Sequence, residues 1–250
     1  MAASLFRLAT LMLGAWLSCG ASHALVGQSE LNGPMAPHVV MVLTSHAGRA
    51  GFCTGVLITR DIVLTAAHCV AAIEETRIYF KQGDTPVMLE PATIAIHPLY
   101  KADAPRRRER SIDLALIRSP QVVPAPLTPI VIEDSSGVTL NTLIGIAGFG
   151  VAREADAGTG GLLRWGKLKA RAPLSSILLW AEDPAGKSFG ACHGDSGGPI
   201  FNLATHALIA ITSWSEGEGV THCGKLTQAA WIAPQRAWMD GVLRGWGVTR

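Results

Sequence analysis

The chain has 250 residues, five of them cysteine, and a formal net charge of +2. So small an imbalance gives no electrostatic basis for a nucleic-acid or anionic-membrane partner. The length admits one large all-β domain or two small barrels, and after the first residues no apolar run approaches bilayer-spanning length.

Taken from the start, residues 1–24 read as a secretory signal. Arg7 supplies the positive end, Leu8 to Leu17 form a short apolar core, and Ser22-His23-Ala24 closes it with small residues at the two positions a signal peptidase reads. A lipid-modified Cys19 is the alternative, but Trp16 and Leu17 suit such a site poorly. The mature chain is therefore expected to begin at Leu25, to be soluble and monomeric, with no membrane partner, and to be secreted or periplasmic. Setting Cys19 aside leaves Cys53, Cys69, Cys192 and Cys223. In an exported chain they suggest two disulfides, for which sequence alone permits three pairings. No pair is spaced C-x-x-C, which argues against zinc. No metal or cofactor is expected.

Downstream, short β-like runs at Val39–Leu43, Gly55–Ile58, Ile62–Thr65, Leu114–Ile117, Leu143–Ile146 and Leu208–Ile211 are separated by Gly, Pro and Asp. Many short strands punctuated by turns predict barrels or sandwiches rather than βαβ units. Pro120, Pro124, Pro126 and Pro129 mark an extended connector that cannot donate regularly to a sheet. The chain divides into a first barrel at 25–118, a connector at 119–135 and a second barrel at 136–230. A terminal helix is expected at 234–246, where Trp238, Met239, Val242 and Leu243 fall at helical spacing.

Three segments carry chemistry. Thr65-Ala66-Ala67-His68-Cys69 presents a histidine, and Ser111-Ile112-Asp113-Leu114 an aspartate in apolar surroundings. Gly194-Asp195-Ser196-Gly197-Gly198-Pro199 presents a serine boxed in by glycines. A carboxylate among apolar residues is costly unless paired, so Asp113 calls for a partner. A serine hydroxyl is a weak nucleophile until a base takes its proton, and that base needs a third group to orient it. His68, Asp113 and Ser196 supply those three parts, and their chain order separates the unrelated folds that use the same set.

Together these segments resemble the trypsin/chymotrypsin family of serine endopeptidases, from about Leu25 to the last helix. The resemblance implies an all-β fold of two antiparallel six-stranded Greek-key barrels with a C-terminal helix, and an active site in the cleft between them. It implies that Ser196 attacks, that His68 acts first as base and then as acid, and that Asp113 holds the imidazole with help from Ser213. Backbone N–H groups of Gly194 and Ser196 would form the oxyanion hole. The implied disulfides are Cys53–Cys69 and Cys192–Cys223, and the implied partner is a protein or peptide substrate.

The same resemblance places Gly190 at the base of the substrate pocket, with Ser213, Trp214, Ser215 and Gly224 along it. Relatives that cut after Lys or Arg hold an aspartate at the base, so Gly190 points to small or medium apolar side chains. Leu25-Val26-Gly27 resembles the mature Ile-Val-Gly start of the family, whose ammonium pairs with the aspartate before the nucleophile, here Asp195. Removal of the signal would then also activate the enzyme. The run Arg106-Arg107-Arg108-Glu109-Arg110 is open between a solvated loop and a subsite for acidic substrate residues. Glu74, Glu75 and Asp84 are too sparse for a calcium loop. A non-catalytic binding protein and an esterase are the rival readings; the first would normally lack a triad member, and none is missing.

Overall fold

β-branched runs between glycine and proline turns become strands in the computed structural model, which describes residues 25–27, 29–71, 75–107 and 109–248. The leader at 1–24 with its Cys19 lies outside the described residues, as do Glu74 and Arg108. Among the described residues, fourteen strands and two α-helices follow in chain order. They begin with β1 (Glu30–Leu31), β2 (Val39–His46), β3 (Arg49–Leu57), β4 (Ile62–Thr65), β5 (Glu75–Gln82), β6 (Thr85–Leu89) and β7 (Thr93–Ile96). The helix α1 (Ala104–Arg107), β8 (Ala115–Arg118), β9 (Leu143–Gly148), β10 (Arg164–Arg171) and β11 (Leu178–Glu182) come next. β12 (Pro199–Asn202), β13 (Leu208–Glu216), β14 (Leu226–Trp231) and α2 (Arg236–Gly245) complete the chain.

The fold is all-β with one C-terminal helix, as expected, and the two halves close differently. In the second half β9-β10-β11-β14-β13-β12 run antiparallel and return to β9, a closed six-stranded barrel. The first half is a curled seven-stranded sheet in the order β6-β5-β2-β3-β4-β8-β7, with β6 and β7 left as edges. Pro86 in β6 has no N–H to offer a further strand, and Pro91 interrupts the chain before β7.

Each half buries its own apolar face. Val40, Val42, Val56, Leu57, Ile62, Leu64 and Leu116 are fully enclosed in the first, and Ile146, Leu168, Leu179 and Ile200 in the second. The chain ends cross over. Leu25 is buried in the core of the second half, Val26 bridges Gly190, and β1 adds to β10. At the other end α2 buries Met239 and Leu243, stacks Trp238 on His97 at 4.7 Å, and receives a hydrogen bond from Arg118 Nη1 to the Trp246 carbonyl at 2.6 Å. Each terminal segment therefore packs on the half that the opposite end of the chain builds, which fixes the seam between them.

Two disulfides form, Cys53–Cys69 and Cys192–Cys223. The first closes a loop with a sequence separation of 16 and joins β3 to the turn that carries His68. Replacing both Cys53 and Cys69 by serine is expected to lower the unfolding free energy by about 3 kcal/mol. Urea denaturation of the variant checks this, and an unchanged midpoint would contradict it.

Candidate active site

β4 ends at Thr65 and a single 3-10 turn, Ala67–Cys69, follows. Ala66 and Ala67 are fully buried there, so the turn presses against the core and leaves His68 as its exposed residue. Asp113 enters from the segment before β8, between the buried Ile112 and Leu114. Its Oδ1 accepts the His68 backbone N–H at 2.9 Å, and its Oδ2 meets His68 Nδ1 at 2.7 Å. From β13, the Ser213 hydroxyl donates to the same Oδ2 at 2.5 Å. Three donors thus converge on a carboxylate whose side chain is 14% exposed.

Burial pushes the Asp113 pKa upward, but the His68 hydrogen bond and charge, with the Ser213 hydroxyl and the His68 backbone N–H, leave it below the usual carboxylate value. Burial likewise disfavours the imidazolium of His68, and the Asp113 hydrogen bond and charge outweigh that and raise its pKa. The carboxylate is held ionised and the ring is fixed at Nδ1, so Nε2 is the nitrogen left for proton transfer.

Ser196 stands in the turn before β12. Its carbonyl accepts the Thr54 N–H at 2.8 Å, while the Thr54 hydroxyl donates to the Gly194 carbonyl at 2.9 Å and accepts the Phe149 N–H at 3.0 Å. A fully buried threonine of the first half therefore clamps the serine loop of the second. Gly197 has φ of 83°, and a Cβ there would overlap the Thr54 carbonyl and the Thr65 hydroxyl, so only glycine lets the halves approach so closely. His68 Nε2 lies 3.7 Å from Cys69 Sγ, which is 3.9 Å from the Ser196 carbonyl oxygen. The Ser196 hydroxyl is not hydrogen-bonded to His68 in this structure, and such bonds commonly tighten only with substrate in place.

Among the described residues, neither the Gly194 nor the Ser196 N–H donates to a protein acceptor. The His193 carbonyl accepts the Val151 N–H at 2.9 Å. In a trans peptide C=O and N–H point opposite ways, so the Gly194 N–H faces away from Val151. The Asp195 carboxylate beneath is fully buried, accepting from Gly150 N–H at 2.8 Å and Cys192 N–H at 2.9 Å. Burial pushes its pKa up to about 7, against the pull of those two amides and of the Arg164 charge.

Gly190 and Gly224 meet back to back. A Cβ on Gly190 would lie 2.9 Å from the Gly224 carbonyl and 3.0 Å from the Thr227 hydroxyl, closer than a side chain tolerates. Trp214 is 44% exposed. The Ser215 hydroxyl donates to the His222 carbonyl at 3.1 Å. Glu154 then grips His222, accepting its backbone N–H at 2.9 Å and meeting Nδ1 at 2.8 Å. In the basic run before Asp113, Arg107 pairs with Asp103, while Glu109 pairs with Lys101 outside the run at 2.6 Å.

Hydrogen bonds join His68, Asp113 and Ser213, Ser196 is tied to the first half through Thr54, and Gly190 lies against Gly224. Sequence reading missed Thr54, Gly150, Arg164 and the Glu154–His222 pair. Two cysteine–histidine groups, Cys53-His68-Cys69 and Cys192-His193-Cys223, cluster tightly, but their sulfurs are joined as disulfides and offer no thiolate to a metal. A cavity of about 620 Å³ beside Gly27, Trp165 and Phe189 includes none of the three polar residues of the seam.

Comparison with known proteins agrees with this geometry. The family described as Trypsin matches residues 25–234. A protein named Trypsin from Saccharopolyspora erythraea is 28% identical over 217 residues, covering 77% of this chain and 87% of that relative.

The His68 ring is expected to titrate above the ordinary histidine value of about 6.5, and below it once Asp113→Asn removes the partner and leaves burial to act. NMR titration of the ring checks both. A value unchanged by the substitution would contradict the pairing.

Proposed function

This chain belongs to the trypsin family of serine endopeptidases, and we propose that it cuts peptide bonds through an acyl-enzyme with Ser196 as nucleophile, His68 as base and acid, and Asp113 as the orienting carboxylate. The observation that carries this reading is the hydrogen-bonded line from Ser213 through Asp113 to His68. As substrate binds, the Ser196 proton passes to Nε2 and Oγ bonds to the carbonyl carbon. The carbonyl π pair moves onto oxygen, where the uncommitted Gly194 and Ser196 amides receive it. Each such donor is typically worth about 10²–10³ in turnover. Collapse breaks the C–N bond while the imidazolium protonates the leaving amine, and water then repeats the sequence to free the acid. Asp113 keeps its charge throughout and stabilises the imidazolium.

The cleft between the barrels at 25–118 and 136–230 takes an extended peptide, whose backbone pairs with Ser213-Trp214-Ser215 by strand addition. Gly190, Ser215 and Gly224 give a neutral pocket, in which an unpaired Lys or Arg would be costly. Small or medium apolar side chains at the cleaved position are therefore preferred. The protein is exported, secreted or periplasmic, and works as a monomer without a metal or other cofactor. Among the described residues no helix is long and apolar enough to cross a membrane.

Signal removal activates it. Leu25 is buried in the core that holds Phe189 and Ala191, and the Val26 carbonyl accepts the Gly190 N–H at 3.2 Å, which supports a docked start beside the Asp195 loop. A new ammonium at Leu25 would supply positive charge to an aspartate that otherwise sits near neutrality.

Ser196→Ala or His68→Ala is expected to lower kcat/KM by about 10⁶; wild-type turnover in Ser196→Ala would reject the mechanism. In a peptide library the favoured residues before the cut should be apolar, and a preference for Arg or Lys would overturn the pocket assignment. One extra residue ahead of Leu25 should lower kcat/KM at least about tenfold, and full activity in that variant would remove the activation step.

A further inference from the structure

Arg164 is 1% exposed, the largest side chain among the most fully buried, and the catalytic chemistry described so far does not use it. A guanidinium stays charged in a protein, so a buried arginine demands an anion. The strand register says where that anion is. Arg164 opens β10 and stands directly opposite Gly148 of β9. Opposed residues of an antiparallel pair project to the same face, with Cβ positions about 5 Å apart. A Cβ on Gly148 would run straight into Asp195 Oδ1, and one on Gly150 would strike the same carboxylate. At its C-terminal end β9 thus carries no side chain on this face, and there Asp195 lies and Arg164 departs. Arg164 Nη1 also donates to the Thr159 carbonyl at 3.4 Å, in the loop whose Val151 N–H holds the His193 carbonyl.

We infer that Arg164 is a built-in counter-charge to Asp195, a positioning residue that keeps this carboxylate ionised and the Gly194–Ser196 amides set for catalysis in support of the ammonium at Leu25. The inference rests on the reading that ionised Asp195 holds the oxyanion loop. Among the described residues Arg164 is the charged side chain that acts on Asp195. β9 contributes Gly148, the turn after it the Gly150 amide, the serine loop itself the Cys192 amide, and Thr54 of the first half is uncharged. Asp195 acts in return to keep Arg164 protonated against burial. The pair therefore ties two supports of the oxyanion loop together, the carboxylate below it and the 151–160 loop beside it.

The sign of the effect follows. Removing the cation raises the Asp195 pKa, so less carboxylate is ionised at a given pH, and the acid limb of kcat/KM, set by His68 and Asp195 together, moves to higher pH. In the mature enzyme Arg164→Gln should move that limb up by about one unit, an approximately tenfold loss at pH values well below the limb. The loss should fall on kcat rather than KM, because the oxyanion donors act in the transition state. Arg164→Lys should show a smaller upward shift. Adding one residue before Leu25 should be more damaging in Arg164→Gln than in the Arg164 enzyme, since the carboxylate then loses both cations.

An acid limb in Arg164→Gln that coincides with the wild-type limb, whatever its melting temperature, overturns the inference. If Arg164→Gln does not fold, Arg164→Met, which keeps an unbranched stem of similar length without the charge, decides, and an unmoved limb there overturns it equally. Full activity in Asp195→Asn would instead overturn the reading beneath it, which keeps the two failures distinct.

Discussion

A carboxylate wedged between Ile112 and Leu114 stays ionised only if donors meet it, and at Asp113 three do: the His68 ring, the His68 backbone N–H and the Ser213 hydroxyl. Two of these come from the turn after β4 and the third from β13 in the other half of the molecule. The charge therefore draws the two halves to one point, and breaking any one donor would expose a buried anion at the seam. A buried charge deprived of its partner is typically destabilising by about 3–5 kcal/mol. The same placement that satisfies Asp113 fixes the imidazole with Nε2 outward. Fold and chemistry share one constraint.

Around that point the seam is built from small residues. Gly197 lets the serine loop press on Thr54 and Thr65, and Thr54 returns two hydrogen bonds to the loop. Beneath lies a second buried carboxylate, Asp195, with a different balance. It has two amide donors and one nearby guanidinium, and burial still leaves its pKa near 7. Asp113 is secured by full pairing, whereas Asp195 is left responsive to any further cation. In the proposed mechanism, the locked anion keeps the proton-transfer line constant while the adjustable one lets the oxyanion donors respond to the N-terminus.

Much of this was legible in the chain itself. Short runs of Val, Ile and Leu between glycine and proline gave the strands, and Trp238, Met239 and Leu243 gave the terminal helix. His68, Asp113 and Ser196 could be named because their three segments occur together, in the chain order of the family they resemble. Thr54 could not, because a threonine beside a cysteine in a strand is unremarkable until the second half docks on it. Arg164 did carry a signal: a lone cation in Gly161-Leu162-Leu163-Arg164-Trp165-Gly166 needs a partner wherever that run is buried. Its partner is remote in sequence, and only the register of β10 on β9 brings the two together. Incomplete closure of the first sheet was hidden for a similar reason, since edge strands and closing strands share one periodicity.

The central claim is that imidazole, carboxylate and serine act as one unit at the seam, and labelling of the mature protein by a fluorophosphonate tests it most directly. Mass spectrometry should find a single adduct on Ser196, formed faster as pH rises through the His68 titration and nearly absent in His68→Ala. An adduct on another residue, or one that forms on Ser196 at the same rate without His68, would contradict the account.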